Sequence, residues 1–418
     1  MSRIPFLLFG DGPRLRSGLA RIARDLAVRL YAEQEELGIR FMQVGVDDPG
    51  GWHWQPWDFF GFQPSAQEQG WGVLKTIERQ LWEEGETERP IVLAIMDPAR
   101  VYDLTSAHPL LTGWREPGDT QLQMDLWGYF PIDAHNLAGA VGGPAAEAIR
   151  TADRLLAYGQ YGAGVLKKTL ELAHVLKPVA WLPHGLEPGV FTPEVPVTEA
   201  PASWQQWARA AEDRDALILG CVATNQWRKD LGLYFLVVAT LRQRGQRVAA
   251  WLQTDRFTNA WDIGELVASL GLTQAEVYAS TDHLSDRQLA AQYAASDVTI
   301  APGLGEGFGY PIVESLACGT PVVHGAYAGG TDLVPRGWQI LPIALRLDGC
   351  YALQRPVFVA AAWADRVEQI CRGTETTGAE QTAFCTGSVA HLSWQALWPR
   401  WRAWITQGLH QRREQPRG

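Results

Sequence analysis

This chain is short of cysteine, of long apolar runs and of basic charge. Its five cysteines (Cys221, Cys318, Cys350, Cys371 and Cys385) are odd in number, widely spaced and without a Cys-x-x-Cys pair. That pattern argues against a disulfide framework or a zinc site and fits a reducing cytoplasm. No apolar run reaches the ~18–20 residues that a membrane-spanning helix needs. The opening Met1–Gly10 is apolar for only a few residues before Asp11-Gly12-Pro13 breaks it, so it reads as a first strand rather than a secretory leader. Lys and Arg number 36 against 46 Asp and Glu, a formal net charge of −10. Nucleic-acid binding needs clustered cations, so a large footprint of that kind is not expected, although a local basic groove is compatible with the charge.

What is present is a globular composition, 46% hydrophobic and 20% charged over 418 residues, enough for two domains with separate cores. Nineteen tryptophans are unusual. Those in Trp52–Trp57 and Trp394–Trp404 have the chemistry to stack on sugars or bases, while burial in a core is the commoner use of indole.

The first half alternates strand-like runs with amphipathic helices, the pattern of a parallel sheet with crossover helices. Candidate strands are Pro5–Phe9, Phe41–Val46, Ile91–Met96, Gly128–Ile132 and Arg154–Tyr158, with a helix from about Gly18 to Glu36. Asp48–Gln69, rich in Gly, Pro and Trp, reads as a long surface loop. A proline-rich passage follows the strand-like Val179–Leu182, with Pro183, Pro188, Pro193, Pro196 and Pro201, and marks a hinge. Domains are therefore expected at about 1–190 and 191–418. The second opens with a strand at Ala216–Val222 and a helix over Leu231–Arg244, followed by strands at Val248–Gln253, Glu276–Tyr278, Val298–Ala301 and Pro321–Val323. The tail from about Phe358 has a helical pattern. Trp394, Trp398 and Trp401 fall on one stripe at helical spacing, and Pro399 is expected to kink or interrupt that helix.

The most informative stretch is 302–325, Pro-Gly-Leu-Gly-Glu-Gly-Phe-Gly-Tyr-Pro-Ile-Val-Glu-Ser-Leu-Ala-Cys-Gly-Thr-Pro-Val-Val-His-Gly. It reads as a glycine-rich turn after a strand and before a helix that starts near Tyr310 or Pro311. Glycines let the backbone approach a ligand, and successive N–H groups with the positive end of a helix suit a diphosphate. Gly307, Phe308 and Gly309 offer such main-chain donors. Glu306 and Glu314, eight positions apart, supply acceptors, the first for a hydroxyl-rich ligand such as a sugar and the second for a vicinal diol such as a ribose. An ordinary strand–turn–helix with a solvated Glu306 is the plainer reading of the glycines alone.

A second cluster is Thr224-Asn225-Gln226-Trp227-Arg228-Lys229, after one strand and before a helix. Ligands of open parallel sheets bind at the carboxyl ends of the strands, so the loops after Val222 and Ile300 are expected to open onto one crevice. Cations at a helix start are unfavourable in themselves, which points Arg228 and Lys229 to neutralising a phosphate. In the first half, Ser17-Gly18 after strand one could approach a phosphate. Asp133 and His135 at a strand end are candidates for acceptor binding or proton handling. Capping by Asp133 or Asn136 of a helix starting near Leu137 is an equal alternative. Asp97 has similar standing, and His184 at the hinge reads as holding backbone.

The residues from Leu284 to Pro335, including Glu306, Glu314, Ala317–Val323 and Gly329-Gly330, resemble the Glu-x7-Glu region of retaining glycosyltransferases with the GT-B architecture, in particular the large family 4 group. His184-Gly185 with Phe191-Thr192-Pro193 resembles that family's crossing segment. Thr224–Lys229 resembles its phosphate-binding loop, with Thr224 standing where the family has an arginine. The resemblance implies an α/β fold of two Rossmann-like domains facing each other across a cleft, an N-terminal domain for the acceptor and a C-terminal one for the donor. It also implies that the last helix, about 385–418, crosses back onto the first domain. The implied activity is transfer of a sugar from a nucleotide-diphosphate sugar to an acceptor hydroxyl with retention. It needs neither metal nor other cofactor, and the diphosphate helps to deprotonate the acceptor. Lys229 and Arg228 would clamp that diphosphate and Glu306 would bind the sugar. Glu314 would hold the ribose, and Asn225 and Gly18 would lie against the donor. A saccharide, lipid-linked or small-molecule acceptor is expected ahead of nucleic acid. An epimerase or hydrolase of the same fold, a transferase acting on nucleic-acid bases and a non-catalytic binding subunit stand as alternatives.

Overall fold

A computed structural model describes residues 3–48, 55–64, 70–104, 124–372 and 378–414. The chain divides into two compact units, one of residues 1–183, 349–353 and 400–418, the other of residues 184–348 and 354–399.

The first unit is built on a seven-stranded sheet among the described residues: β1 (Ile4–Asp11), β2 (Ile39–Val46), β3 (Asp58–Phe62), β4 (Ile91–Ile95), β5 (Asp125–Phe130), β6 (Arg154–Ala157) and β7 (Val179–Trp181). All pairs are parallel, in the order β3-β2-β1-β4-β5-β6-β7. Every residue of β1 is buried, as a parallel strand covered on both faces requires. One layer of the core gathers Leu7, Phe9, Val44, Phe130, Leu155 and Leu166. β3 lies inside the passage expected to be a loop. The surrounding glycines, prolines and tryptophans hide a short Asp-Phe-Phe-Gly-Phe strand that pairs in register with Met42–Val46. Trp57 just before it donates to Gln43 Oε1 at 3.0 Å and packs on Phe41 and Tyr31. Trp52 and Trp54 lie outside the described residues.

The second unit carries a six-stranded parallel sheet, β8 (Leu217–Val222), β9 (Val248–Gln253), β10 (Val277–Ser280), β11 (Val298–Ala301), β12 (Val322–Gly325) and β13 (Gln339–Ile340), in the order β10-β9-β8-β11-β12-β13. Two further strands, β14 (Ala344–Asp348) and β15 (Leu353–Val357), pair with each other. The helix Leu231–Gln243 after β8 buries nine of its residues, Phe235 and Val238 among them. Both sheets share one logic: the chain winds outward from the middle strand, then reverses direction, between β1 and β4 in one unit and between β8 and β11 in the other. At such a reversal the two flanking loops leave on opposite sides and open a crevice beyond the strand ends.

The last helix, Trp394–Glu414, runs through Pro399, so the proline does not interrupt it. Proline there removes one bond, to the carbonyl of Gln395, an exposed residue whose oxygen can turn to water. The buried stripe also differs from the expected one: Trp394, Leu397, Trp401 and Ile405 are buried, while Trp398 is only half-buried. Residues from Arg400 onward belong to the first unit. There Trp401 meets Tyr129 edge-on at 4.8 Å, Trp404 meets Trp127 at 5.3 Å, and the Arg154 guanidinium lies over both indoles of the second pair. Five tryptophans, residues 204, 251, 363, 394 and 401, are fully buried core side chains. Among the described residues no helix is long and apolar enough to cross a membrane.

Replacing Trp401 by alanine removes the centre of this aromatic cluster. The expected loss is about 3–5 kcal/mol, the range for large aromatic truncations in a packed core. Chemical or thermal denaturation of the variant against the parent measures it.

Candidate functional site

In the second unit the loop after β8 leads through Asn225 to a tight turn, Trp227–Lys229, and then to the Leu231–Gln243 helix. Asp230 adopts a left-handed conformation (φ 44°) and caps that helix by accepting from the Leu233 N–H. Asn225 is fully buried. Its side-chain amide donates to the carbonyls of Arg256 and Trp261 (3.2 and 2.7 Å), and its oxygen accepts from the Trp261 N–H (3.0 Å). Its main chain is tied as well, through Asp255 Oδ1 and Asn259 Nδ2. Where the sequence suggested a ligand contact for Asn225, the side chain bonds neighbouring backbone. Its amide is spent inside the protein, and it staples the 223–226 loop to the 255–261 loop. Residue type alone cannot distinguish these roles, because both need a donor and an acceptor.

The loop after β11, Pro302–Gly309, meets that turn. Four links join them. The Leu304 N–H donates to the Arg228 carbonyl at 2.7 Å, and Arg228 Nη1 donates to the Gly305 carbonyl at 3.2 Å. Lys229 Nζ sits 2.5 and 2.7 Å from the two oxygens of Glu306, and Arg228 Nη1 is 3.9 Å from Glu306 Oε2. Lys229 and Glu306 side chains are each only 14% exposed. Burial pushes the Glu306 carboxyl up, but the Lys229 ammonium and the Arg228 guanidinium outweigh it and hold the group below its ordinary value. The buried guanidinium of Arg355 on β15 adds a contact of 3.4 Å to the Leu304 carbonyl. Sequence reasoning missed Arg355, because a single arginine in a short strand carries no motif.

The helix Tyr310–Ala317 begins where expected, with Gly309 at its N-terminus in a left-handed conformation (φ 107°). Glu314 on this helix is 3% exposed and accepts a hydrogen bond from the Tyr293 hydroxyl at 3.2 Å. Phe308 is buried, its ring 4.4 Å from His184 and 5.4 Å from Tyr310, so it offers main chain rather than side chain. His184 packs against the glycine loop through Phe308 and Tyr310, a contact that its position in the proline-rich passage did not signal. Gly329 lies against the same loop. Its N–H donates to the Glu306 carbonyl at 2.8 Å, and a Cβ there would sit 2.4 Å from the Gly307 oxygen.

The structure thus brings together Arg228, Lys229, Glu306, Gly307, Phe308, Gly309 and Glu314 in the second unit, with Asn225 behind them. Gly18, Asp133 and His135 belong to the first unit. Gly18 starts the Gly18–Ala32 helix after the Ser17 cap, and the Ser17 hydroxyl also bonds to Asp11 at the end of β1. His135 Nδ1 is 2.7 Å from the Tyr161 hydroxyl. Asn136 accepts from the Ala138 and Ala140 N–H groups and so caps a turn. The helix expected near Leu137 begins instead at Gly143, after a glycine-rich turn that delays it.

Residues 216–370 match a family model described as Glycosyl transferases group 1. A D-inositol 3-phosphate glycosyltransferase of Stackebrandtia nassauensis is 30% identical over 163 residues, covering 37% of this chain and 35% of that protein. The chain matches about a third or less of the length of such curated relatives. Among solved structures, sucrose-phosphate synthase from Thermosynechococcus elongatus aligns with a TM-score of 0.66 at 17% identity, over 98% of both chains. Anabaena HepE in complex with UDP and glucose aligns at 0.59 and 14% identity, over 98% of this chain and 99% of that one. These likenesses show the GT-B fold of two Rossmann-like domains.

Gly329→Ala places a methyl group against two loop carbonyls, so the loop must move. We expect lower thermal stability together with loss of the Lys229–Glu306 geometry, read from melting temperature and a structure of the variant. An unchanged loop at full stability contradicts this account of the contact.

Proposed function

We propose, from the match of residues 216–370 to the model described as Glycosyl transferases group 1, that the chain is a glycosyltransferase moving a sugar from a nucleotide-diphosphate sugar to an acceptor hydroxyl, with retention and without a metal ion. The observation that carries this reading is the meeting of Arg228 and Lys229 with Glu306 at the reversal between β8 and β11.

In this reading the two cations neutralise the diphosphate and stabilise it as it leaves, an electrostatic contribution that a partly buried site strengthens. Main-chain N–H groups of Gly307, Phe308 and Gly309, with the start of the Tyr310–Ala317 helix, complete the phosphate cradle. Glu306 accepts from sugar hydroxyls, and Glu314, oriented by Tyr293, accepts from the ribose. The departing diphosphate takes up the acceptor proton on the face it vacates, so the new bond forms on that face. Asp133 and His135 are the acceptor-side candidates of the first unit, and Gly18 a candidate donor contact. Thr224 removes one cation from the phosphate loop, which leaves Lys229 and Arg228 with a larger share of the charge. The HepE structure with UDP and glucose supports trying uridine nucleotides first.

The test is a thermal-shift screen with UDP, GDP, ADP and dTDP and their sugars. A ligand at about a hundredfold its Kd adds roughly 2.7 kcal/mol of stability, a readable rise in melting temperature. No shift with any of them overturns the reading. With the donor in hand, Lys229→Ala is expected to cut turnover by more than about tenfold, and Glu314→Ala to weaken nucleotide binding. Parental turnover in both variants would sink the assignment.

A further inference from the structure

The cation assigned to the diphosphate is already engaged. Both Glu306 oxygens lie within 2.7 Å of Lys229 Nζ, the pair is largely shielded from water, and Arg228 stands 3.9 Å away. A ligand with a diphosphate must therefore compete with a fixed carboxylate for Lys229. Its success depends on what it offers Glu306 in return.

We propose that Glu306 discriminates between donor and product: it tolerates the nucleotide sugar, and it helps to expel the nucleoside diphosphate by reclaiming Lys229. The proposal rests on the glycosyltransferase reading above and assigns a specificity to the same site. A nucleotide sugar brings hydroxyl donors next to the carboxylate, so Glu306 exchanges an ammonium partner for hydrogen bonds and stays satisfied. Once the sugar has left, the terminal phosphate takes on a second ionisation, with a pKa of about 6. That new charge arises where the sugar was attached, beside a buried carboxylate that now lacks donors. Like charges at such distances in a poorly hydrated site repel strongly. Lys229 meanwhile lies between two anions, and return to Glu306 restores the arrangement of the ligand-free protein. Product release limits turnover in many enzymes, so a carboxylate that weakens product binding speeds the cycle even though it weakens the ground-state hold on phosphate.

The charge count makes the idea testable. Lys229, Arg228 and Glu306 sum to one positive charge; without the Glu306 carboxylate they sum to two. In Glu306→Gln, calorimetric titration with the diphosphates UDP and GDP, and with UDP-glucose and GDP-mannose, is expected to show the diphosphate bound at least about tenfold tighter than by the parent, or ~1.4 kcal/mol. The nucleotide sugar is expected to bind no tighter. Glu306→Ser, which removes the charge with a smaller side chain, serves where Glu306→Gln does not fold. As a second measurement, Lys229→Gln should weaken diphosphate binding more in the Glu306→Gln background than in the parent, because the Glu306 carboxylate then no longer competes for the lysine. An unchanged or weaker diphosphate Kd in the neutral variants, or an equal effect of Lys229→Gln in both backgrounds, overturns the role of Glu306 alone. Failure of the parent to bind any nucleotide in the screen overturns the transferase reading and this proposal with it.

Discussion

The buried ion pair between Lys229 and Glu306 is the interaction on which the site depends. A charge removed from water is costly unless a partner compensates it, and breaking one side of such a pair costs more than the pair contributes. Here each partner belongs to a different loop, 77 positions apart in sequence. Each loop follows a strand at the point where the parallel sheet reverses its order. The sheet brings the loops together, and the pair fixes their register. Arg228 repeats the same link through backbone, and Leu304 returns it, so that charge and main chain hold the crossing jointly.

Around this crossing the protein spends polar groups on shape as much as on any ligand. Asn225 directs both amide N–H groups and its side-chain oxygen to neighbouring backbone. Gly329 matters because it has no side chain, and Phe308 and His184 pack under the glycine loop as aromatic support. A preorganised arrangement of this kind needs little rearrangement when charge moves, which is the property that electrostatic catalysis requires.

Much of this was legible in the sequence, for identifiable reasons. Val298–Ala301 as a strand, the glycine turn and a helix from Tyr310 follow from local chemistry, where apolar runs and glycines leave few options. The proximity of Arg228-Lys229 to Glu306 followed from topology, since strand ends in a parallel sheet share a face. β3 escaped notice because turn-forming neighbours outweighed five residues of strand. The unbroken helix through Pro399 escaped it because one missing bond at an exposed position is tolerable when Trp401 and Ile405 are buried. The roles of Asn225 and Arg355 could not be read: each bonds backbone of a distant segment, and a backbone carbonyl leaves no trace in residue identity.

The staple formed by Asn225 has a consequence for the assembly of the second unit. It joins segments 36 positions apart, while the Lys229–Glu306 contact spans 77. Closing the longer loop costs slightly more chain entropy, on the order of 0.6 kcal/mol per doubling of length. Until β8 and β11 have paired, the anionic and cationic halves of the site are separate solvated groups on an incompletely folded chain. The charge arrangement of this site therefore belongs to the paired β8 and β11 together and is carried by neither segment alone.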